Sequence, residues 1–304
     1  MYEKASTSNP NPALAHNAQA TAPTKTAPPN GTPTPPLEYA TMFLTFYQFL
    51  TTLHYSPTDL KTPPSTSWAH LTRSSSSGGV PSDYKTDFTL SVMRHLPYLS
   101  SPRYTYFEYK SILIDYSSLD PATSFWFQKD ENGKYPEDYS FQNSRAEDWE
   151  DQRQEPPLGD SLIPLTYGWE SGGITLIVDA KRGRIYEDMI RCNDNSYGVQ
   201  EYFDRMKKRF TKLELVPCDG RLMMDAREER EGRVTEEEFW GQNFDAEHGH
   251  GGNWGTAVDK LYIKQVYRDY GWPNDFRREE CFKLVDALMA KVEETREGWN
   301  EHDH

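Results

Sequence analysis

The first regular pattern of hydrophobic and polar positions begins at Glu38 and predicts an amphipathic helix. Its apolar residues recur at spacings of three and four, so that they fall on one face of a helix. The predicted buried positions are Phe43, Phe46, Tyr47, Leu50 and Leu53. The same spacing further on predicts a second helix, with an inner face formed by Tyr84, Phe88, Val92 and Leu96. Prolines follow both segments and close them, because proline lacks the backbone N–H that a helix needs.

The middle of the chain changes to an alternation of apolar and polar residues, which is typical of β-strands. The segment YFEYKSILIDYSSL from Tyr106 onward is rich in β-branched and aromatic residues and predicts a strand pair or one long strand. Alternation returns at residues 165–170 and again at 174–179, and an AKRG loop then leads back into residues 184–189. This succession predicts a β-meander.

Glycines interrupt the meander, and two of them have the spacing of a phosphate-binding loop. Gly168 and Gly173 match the start of such a loop, but Ile174 stands where the loop carries its lysine. The residues that follow read as a strand, whereas the phosphate would need the N-terminal amides of a helix. We therefore predict tight turns at Gly172, Gly173 and Gly183, and a bulge or a close backbone approach at Gly168.

Ser171 raises the alternative of a nucleophile held on a strained turn. A nucleophile elbow requires glycine two positions before the serine, and Trp169 stands there. Serine is also a common turn residue, because its hydroxyl can bond to the nearby backbone. We therefore interpret Ser171 as part of a turn, and the segment predicts no catalytic residue.

Beyond the predicted sheet, the spacing of three and four returns in three segments, each of which predicts a helix. The first has the clearest apolar face, formed by Val199, Tyr202, Phe203, Met206, Phe210 and Leu213. Its outward face is predicted to hold Arg205, Lys207, Lys208 and Arg209. The second segment presents Val258, Leu261, Tyr262, Gln265 and Val266. Asn274 or Asp275 is predicted to cap the last, whose inner side holds Cys281, Leu284, Val285, Leu288 and Val292.

These patterns divide the chain into four parts. Residues 1–37 are rich in Pro, Thr and Ala and predict a disordered tail, because they bury too little apolar surface to offset their ordering entropy. Residues 38–220 predict an α+β domain with an acidic surface loop near 129–157. Residues 221–256 predict an acidic, Gly/His-rich linker. Residues 257–304 predict a C-terminal helical extension, which either packs on the main domain or stands apart from it.

The charge balance narrows the classes of partner. The 304-residue chain has a formal net charge of -14, which disfavours nucleic acids and anionic membranes, since both attract Lys and Arg. No apolar run approaches the length of a membrane span. The three cysteines lie far apart, which predicts reduced thiols and a location in the cytoplasm, with the nucleus as the alternative. A neutral or basic protein is the partner that fits best.

Two groups near the predicted turns are candidate binding residues. Trp169 and Glu170 lie at a strand end and could form a recognition hot spot, with burial of Trp169 in the core as the alternative. Lys181, Arg182 and Arg184 form a basic patch in an acidic protein. That patch could serve recognition, or it could only keep a hairpin tip soluble.

Histidines and carboxylates gather at two places and raise the question of a metal site. The members are Asp245, Glu247, His248 and His250 in one cluster, and the run from His302 to His304 in the other. Zinc needs three or four ligands that converge on ordered structure, whereas both runs have the composition of solvated loops. We therefore predict no metal, no cofactor and no catalytic residue, and a metal-assisted hydrolase stays as an alternative function.

The predicted elements follow one another as a strand, a Gly-rich turn, a strand ending in Asp, a Gly turn, a strand and an amphipathic helix. This order resembles the SUKH superfamily, which includes fungal cell-wall-assembly regulators and bacterial toxin-immunity proteins. The matching residues are Leu165, Gly168, Gly172, Gly173, Asp179, Gly183, Tyr202, Phe203 and Phe210. The match spans residues 162–215 and implies an antiparallel β-sheet flanked by helices, in which Asp179 belongs to the structural turns. It also implies action by binding other proteins, with no catalytic residue to transfer.

We accordingly expect an α+β fold and a non-catalytic protein-interaction module, with a regulatory role in cell-wall synthesis or signalling that the family resemblance implies. The alternatives are the metal-assisted hydrolase and a self-associating scaffold.

Overall fold

The computed structural model describes residues 34–71, 85–101, 106–108, 110–118, 159–168, 173–189, 195–217, 223–226, 232–242 and 256–295. Within these residues lie six α-helices and eleven β-strands, and every strand pair is antiparallel. Helices come before and after the sheets in the chain. This arrangement confirms the predicted α+β class. The predicted acidic loop near 129–157 falls outside the described residues.

The N-terminal helix α1 (Pro36–Thr52) forms one side of the core. It has a proline at its first position, where the missing N–H is not needed. Its predicted inner face is confirmed, because all five predicted residues are buried. Residues 36 and 37, which the composition assigned to the tail, belong to this helix. Residues 1–33 of the predicted tail lie outside the described residues.

The second helix, α2 (Asp87–His95), begins where the Thr86 hydroxyl accepts a hydrogen bond from the backbone N–H of Thr89 (3.0 Å). Val92 and Leu96 are buried as predicted. Phe88 is only partly buried, and Tyr84 lies outside the described residues. The other buried side chains of α2 are Thr89, Leu90 and Met93. The inner face of α2 is therefore rotated relative to the predicted one.

The strands form two main antiparallel sheets and two short pairs. β3 (Tyr106–Glu108) pairs with β4 (Ser111–Leu113), so the segment that predicted a pair or one long strand forms a pair. β4 also pairs with β6 (Thr166–Gly168). The second main sheet has the order β5 (Leu162–Pro164), β7 (Ile174–Asp179), β8 (Arg184–Met189) and β9 (Asn195–Gly198). The short pairs are β1 (Leu60–Lys61) with β2 (Tyr98–Leu99), and β10 (Leu215–Val216) with β11 (Met224–Asp225).

The predicted meander is correct for β7 and β8 but not for the segment before them, and β9 is a strand that the pattern did not predict. β7 pairs with β8 over its whole length, and β8 pairs with β9. The preceding segment divides, because β5 pairs with β7 while β6 pairs with β4. Leu165 lies at the division, where its N–H donates to the carbonyl of Leu176 (2.7 Å) and its own carbonyl accepts from Ile114 (3.0 Å). Leu165 therefore connects the two sheets.

Thr166 and Gly168 make this division possible. The Thr166 hydroxyl accepts a hydrogen bond from the N–H of Leu176 (2.9 Å), in place of a backbone carbonyl. Gly168 donates its own N–H to the hydroxyl of Thr175 (3.0 Å). A Cβ atom at Gly168 would lie 2.9 Å from the carbonyl carbon and oxygen of Gly173. Gly168 thus occupies a close backbone approach that leaves no space for a side chain.

Helix α3 (Val199–Thr211) packs in the centre of the hydrophobic core. Its predicted apolar face is confirmed, since all six predicted residues are buried. Phe203 stacks on Phe46 with ring centroids 4.5 Å apart and meets Phe43 edge-on at 4.8 Å. Phe107 of β3 contacts Phe46 at 5.8 Å. Aromatic packing therefore joins α1, α3 and the three-stranded sheet.

The C-terminal helices share this core. The later helices are α4 (Glu236–Trp240), α5 (Ala257–Asp269) and α6 (Arg278–Thr295). The Tyr267 hydroxyl donates to the carbonyl of Pro217 (2.7 Å), and the Trp272 indole donates to the carbonyl of Phe210 (2.9 Å). Apolar residues of α5 and α6 belong to the same buried cluster as those of α1. The described residues of the helical extension are thus packed on the main domain, and the described part of the chain forms one compact unit.

Some details of this region differ from prediction. Residues 221–256, predicted as a linker, contain β11 and α4. Helix α6 begins at Arg278, so neither Asn274 nor Asp275 stands at its N-cap. Leu284 is 44% exposed, although the spacing placed it on the inner side with Cys281 and its neighbours.

His54 is buried where α1, α3 and the C-terminal helices meet. Its ring stacks on Phe210 at 5.2 Å and lies 6.5 Å from the ring of Trp272. Burial lowers the pKa of His54 from 6.5 to about 3, and the positive charge of Arg278 contributes in the same direction. The Arg278 guanidinium is held nearby by donation to the carbonyl of Leu53 (2.7 Å). His54 is therefore neutral in the folded protein at neutral pH.

We predict that acid destabilises the fold through His54. Below its unfolded pKa of 6.5 and down to about 3, the unfolded chain binds a proton at this ring and the folded protein does not. The free energy of unfolding therefore falls as the pH falls, by up to about 1.4 kcal/mol per pH unit. Urea unfolding at several pH values gives the free energy of unfolding as a function of pH. The slope of this free energy against pH should be smaller for His54→Phe, which keeps an aromatic ring but does not titrate. Equal slopes for the two proteins would contradict the prediction.

The close approach at Gly168 generates a second stability prediction. Gly168→Ala should lower the free energy of unfolding by about 1–3 kcal/mol, because its methyl group overlaps the backbone of Gly173. Gly198→Ser is the matched control, since a Cβ there meets only Glu201 atoms at 3.9 Å and serine suits the start of a helix. Denaturant unfolding of both variants checks this, and similar losses in both would show that the space around Gly168 is not limiting.

Candidate functional site

The turn between β7 and β8 is organised by the Asp179 carboxylate, which is completely buried. Its Oδ1 atom accepts from the backbone N–H groups of Lys181 (2.9 Å) and Arg182 (3.0 Å), and from the Ser161 hydroxyl (3.1 Å). Its Oδ2 atom accepts from the Arg182 guanidinium (2.9 Å). Gly183 follows with a φ of +66°, a backbone conformation that favours glycine. Asp179 and Gly183 thus fix the shape of this turn.

The structure brings the predicted basic patch together at this turn but engages most of it internally. Arg182 is paired with Asp179 as described. Arg184 donates to the carbonyl and to the hydroxyl of Ser196, each at 2.8 Å. Lys181 is the exposed member of the three. Two of the three cations therefore have structural partners within the fold.

Several predicted site residues lie outside the described residues. They are Trp169, Glu170, Ser171, Gly172, Asp245, Glu247, His248, His250 and the run from His302 to His304. Gly173 is described, and it is buried directly before β7. Within the described part of the chain, no group of three or more His, Cys, Asp or Glu side chains is arranged to hold a metal ion. Among the helices described, none has the length and apolar character that crossing a membrane requires.

A buried charge pair corrects the predicted outward face of α3. Arg209, which the sequence placed outward beside Lys208, is only 4% exposed. Its Nη1 atom donates to Oε1 of Glu108, a β3 residue that is 2% exposed. The Tyr202 hydroxyl donates to the other oxygen of Glu108 at 3.4 Å. Arg209 therefore ties α3 to the three-stranded sheet.

Further charged groups surround this pair. Burial alone would lower the pKa of Arg209, but the Glu108 carboxylate outweighs burial and holds that pKa above its ordinary value. Asp225 of β11 places its Oδ2 atom 3.6 Å from Nη2 of Arg209. Burial raises the pKa of Glu187, and the negative charge of Glu108 adds to the rise. Arg205 opposes it with its Nη1 atom 3.3 Å from the Glu187 carboxylate. The cluster thus joins α3 to β3, β8 and β11.

An open depression of about 720 Å³ lies along α3 and extends from exposed residues of its outer side to the buried Arg209. Its lining residues are Glu201, Asp204, Arg205, Lys208, Arg209, Lys212 and Glu214. We call Glu201, Asp204, Arg205, Lys208 and Lys212 the charged stripe, because their spacing of three and four places them along one side of the helix. The carboxylates come first along the stripe and the cations follow. Because the inner side of α3 is packed in the core, the charged stripe is held in place, and we take it as the candidate functional site.

The members of the charged stripe differ in how far they are engaged. Glu201 accepts from the backbone N–H of Gly198 (3.2 Å), and Asp204 accepts from the side-chain amide of Gln200 (2.9 Å). Lys208 is exposed and forms no ion pair with any residue that the structure describes. Its charge is therefore available to a partner.

The sequence contained a signal for the inward position of Arg209. Arg209 follows Met206 by three positions and Tyr202 by seven, which places all three on the same side of a helix. The positive charge alone led to its prediction as an outward residue. Its partner Glu108 lies far away in the chain, so no local pattern could show that a carboxylate would meet it.

No protein-family model, curated protein or solved structure matches the chain. The charged stripe, the buried charge pair and the β7–β8 turn are therefore the features from which function has to be inferred.

The buried charge pair generates a third prediction. Arg209→Met should lower the free energy of unfolding by about 3–5 kcal/mol, because it leaves the Glu108 carboxylate buried without its cation. The double variant Glu108→Leu with Arg209→Met should recover about 2 kcal/mol of that loss, since two apolar side chains replace both charges. Urea unfolding followed by circular dichroism measures both. Lys283→Met, at an exposed position of α6, is the control and should change the value by less than about 0.5 kcal/mol. Additive losses in the double variant would show that Glu108 and Arg209 are not coupled.

Proposed function

We propose that the protein is a non-catalytic protein-interaction module that binds its partner through the outer side of α3. The observation that carries this proposal is the charged stripe, which lies on a helix whose inner side is fixed in the core. A rigid scaffold reduces the entropy that is lost on binding. Charged groups at a protein interface steer the partner and give specificity, whereas small molecules favour enclosed and mostly apolar pockets.

Lys181 at the β7–β8 turn is a second proposed contact, together with Trp169 and Glu170. Arg182 and Arg184 contribute less to this proposal, because each already has a partner inside the protein. The net charge of -14 favours a protein over a nucleic acid as the partner.

The resemblance to the SUKH superfamily supports a regulatory role in cell-wall synthesis or signalling, since members of that family act by binding other proteins. We place this role in the cytoplasm or the nucleus. Burial raises the pKa of the Cys281 thiol to about 12, so this cysteine is protonated and enclosed in the core, which suits a reducing compartment.

Quantitative affinity capture tests the proposal, and it is our fourth prediction. The full chain serves as bait in an extract of the cells that make it, and captured proteins are measured by mass spectrometry. Lys208→Glu combined with Lys212→Glu should reduce the captured partner by about tenfold or more, because reversing interface charges both removes attraction and adds repulsion.

The matched control is Arg268→Glu combined with Lys283→Glu, which makes the same change in charge at exposed positions of α5 and α6. This control should capture the partner as the wild type does. Equal loss in both double variants would show that net charge matters and the charged stripe does not. A catalytic turnover measured on the purified chain would contradict the non-catalytic assignment.

A further inference from the structure

The charged stripe has a direction along α3. Glu201 and Asp204 occupy its first half, and Lys208 and Lys212 occupy its second half. A uniformly acidic partner would meet the two carboxylates, and a uniformly basic partner would meet the two lysines. The stripe therefore fits a partner whose charges run in the opposite order.

A second copy of α3 in the antiparallel direction has this opposite order. The midpoint between Glu201 and Lys212 nearly coincides with the midpoint between Asp204 and Lys208, and both lie close to Met206. A two-fold axis near Met206 therefore places Glu201 of each copy opposite Lys212 of the other, and Asp204 opposite Lys208. Under two-fold symmetry each such contact forms twice. These four charges are thus complementary to those of a second copy, and the fifth member of the stripe, Arg205, is already paired with Glu187 of its own chain.

Contacts within one chain leave Asp204 and Lys208 without an ion pair among the described residues, whereas the Lys212 Nζ atom lies 3.8 Å from the Glu214 carboxylate, in a largely exposed pair that a carboxylate of the second copy can replace. Asp204 and Lys208 are one turn apart, a spacing at which ion pairs can form on a single helix. In the described residues they do not pair with each other, and Asp204 instead accepts from Gln200. Arg205, which could pair with Glu201 in the same way, lies against Glu187.

We infer that the outer side of α3 is a two-fold interface at which two copies of the chain associate. This association rests on the proposed function, because it names the partner of the same surface. The stem of Lys212 is long and apolar, and in the dimer it can lie against the opposite copy while its charged end reaches Glu201 of that copy.

Charge reversal on the full chain tests this association and is our fifth prediction. Sedimentation equilibrium from about 1 to 100 µM should show a dimer that weakens as salt rises, because partly exposed ion pairs are screened. Asp204→Lys and Lys208→Asp each place like charges opposite one another and should each weaken the dimer by about tenfold or more. The double variant restores opposite charges in exchanged positions and should return to within about threefold of the wild type.

Lys283→Asp, at an exposed position of α6, is the control and should leave the dimer unchanged. Circular dichroism of every variant shows whether the fold is retained. A wild type that stays monomeric over the whole concentration range, or a dimer that is indifferent to both single reversals, would overturn the association. If the wild type stays monomeric and the Lys208→Glu, Lys212→Glu variant still loses a captured protein other than this chain, self-association is excluded while the proposed function stands.

Discussion

The packing of α3 against α1 and the sheet is the interaction on which the rest of the structure depends. Phe203 stacks on Phe46 and so joins the two helices. Arg209, on the same helix, reaches Glu108 of the three-stranded sheet. The C-terminal helices add a further contact, because the Trp272 indole bonds to a carbonyl near the end of α3. Because α1, the three-stranded sheet and the C-terminal helices all contact α3, the inner face of α3 determines where these elements lie.

This core contains polar groups whose burial costs free energy unless they are paired or neutral. Asp179 avoids the cost through four hydrogen bonds, most of them to its own turn. His54 avoids it by staying neutral. Arg209 is satisfied less completely, because its Nε atom has no hydrogen-bond partner among the described residues. The Glu108–Arg209 pair is therefore held by charge more than by complete hydrogen bonding, and its contribution is to fix how α3 meets the sheet.

The predictions from the sequence succeeded where structure depends on neighbours along the chain. The inner faces of α1 and α3 follow from the spacing of Phe43 and Phe203 and their neighbours, which a helix alone determines. The division of the strand at Thr166 depends on a hydroxyl that replaces a backbone carbonyl, and alternation does not reveal this. At the β7–β8 turn, the basic patch was predicted but its engagement by Asp179 and Ser196 was not, because these bonds form only once strands pair. Of the charged stripe, only Arg205 and Lys208 were predicted as outward residues of α3, and the depression was not predicted.

The order of charges on α3 has two physical consequences that reinforce each other. Carboxylates near the start of a helix and cations near its end stabilise it, because they oppose the partial charges at its two ends. The same order makes any such helix complementary to an antiparallel copy of itself. Most helices do not use this property, since their outer side chains move freely and the pairing entropy exceeds the gain. In this protein the helix is fixed by its inner face, and its charges surround a depression that an opposite side chain can fill. Anchoring of α3 by the core is therefore what would turn a common pattern of helix stabilisation into a binding surface.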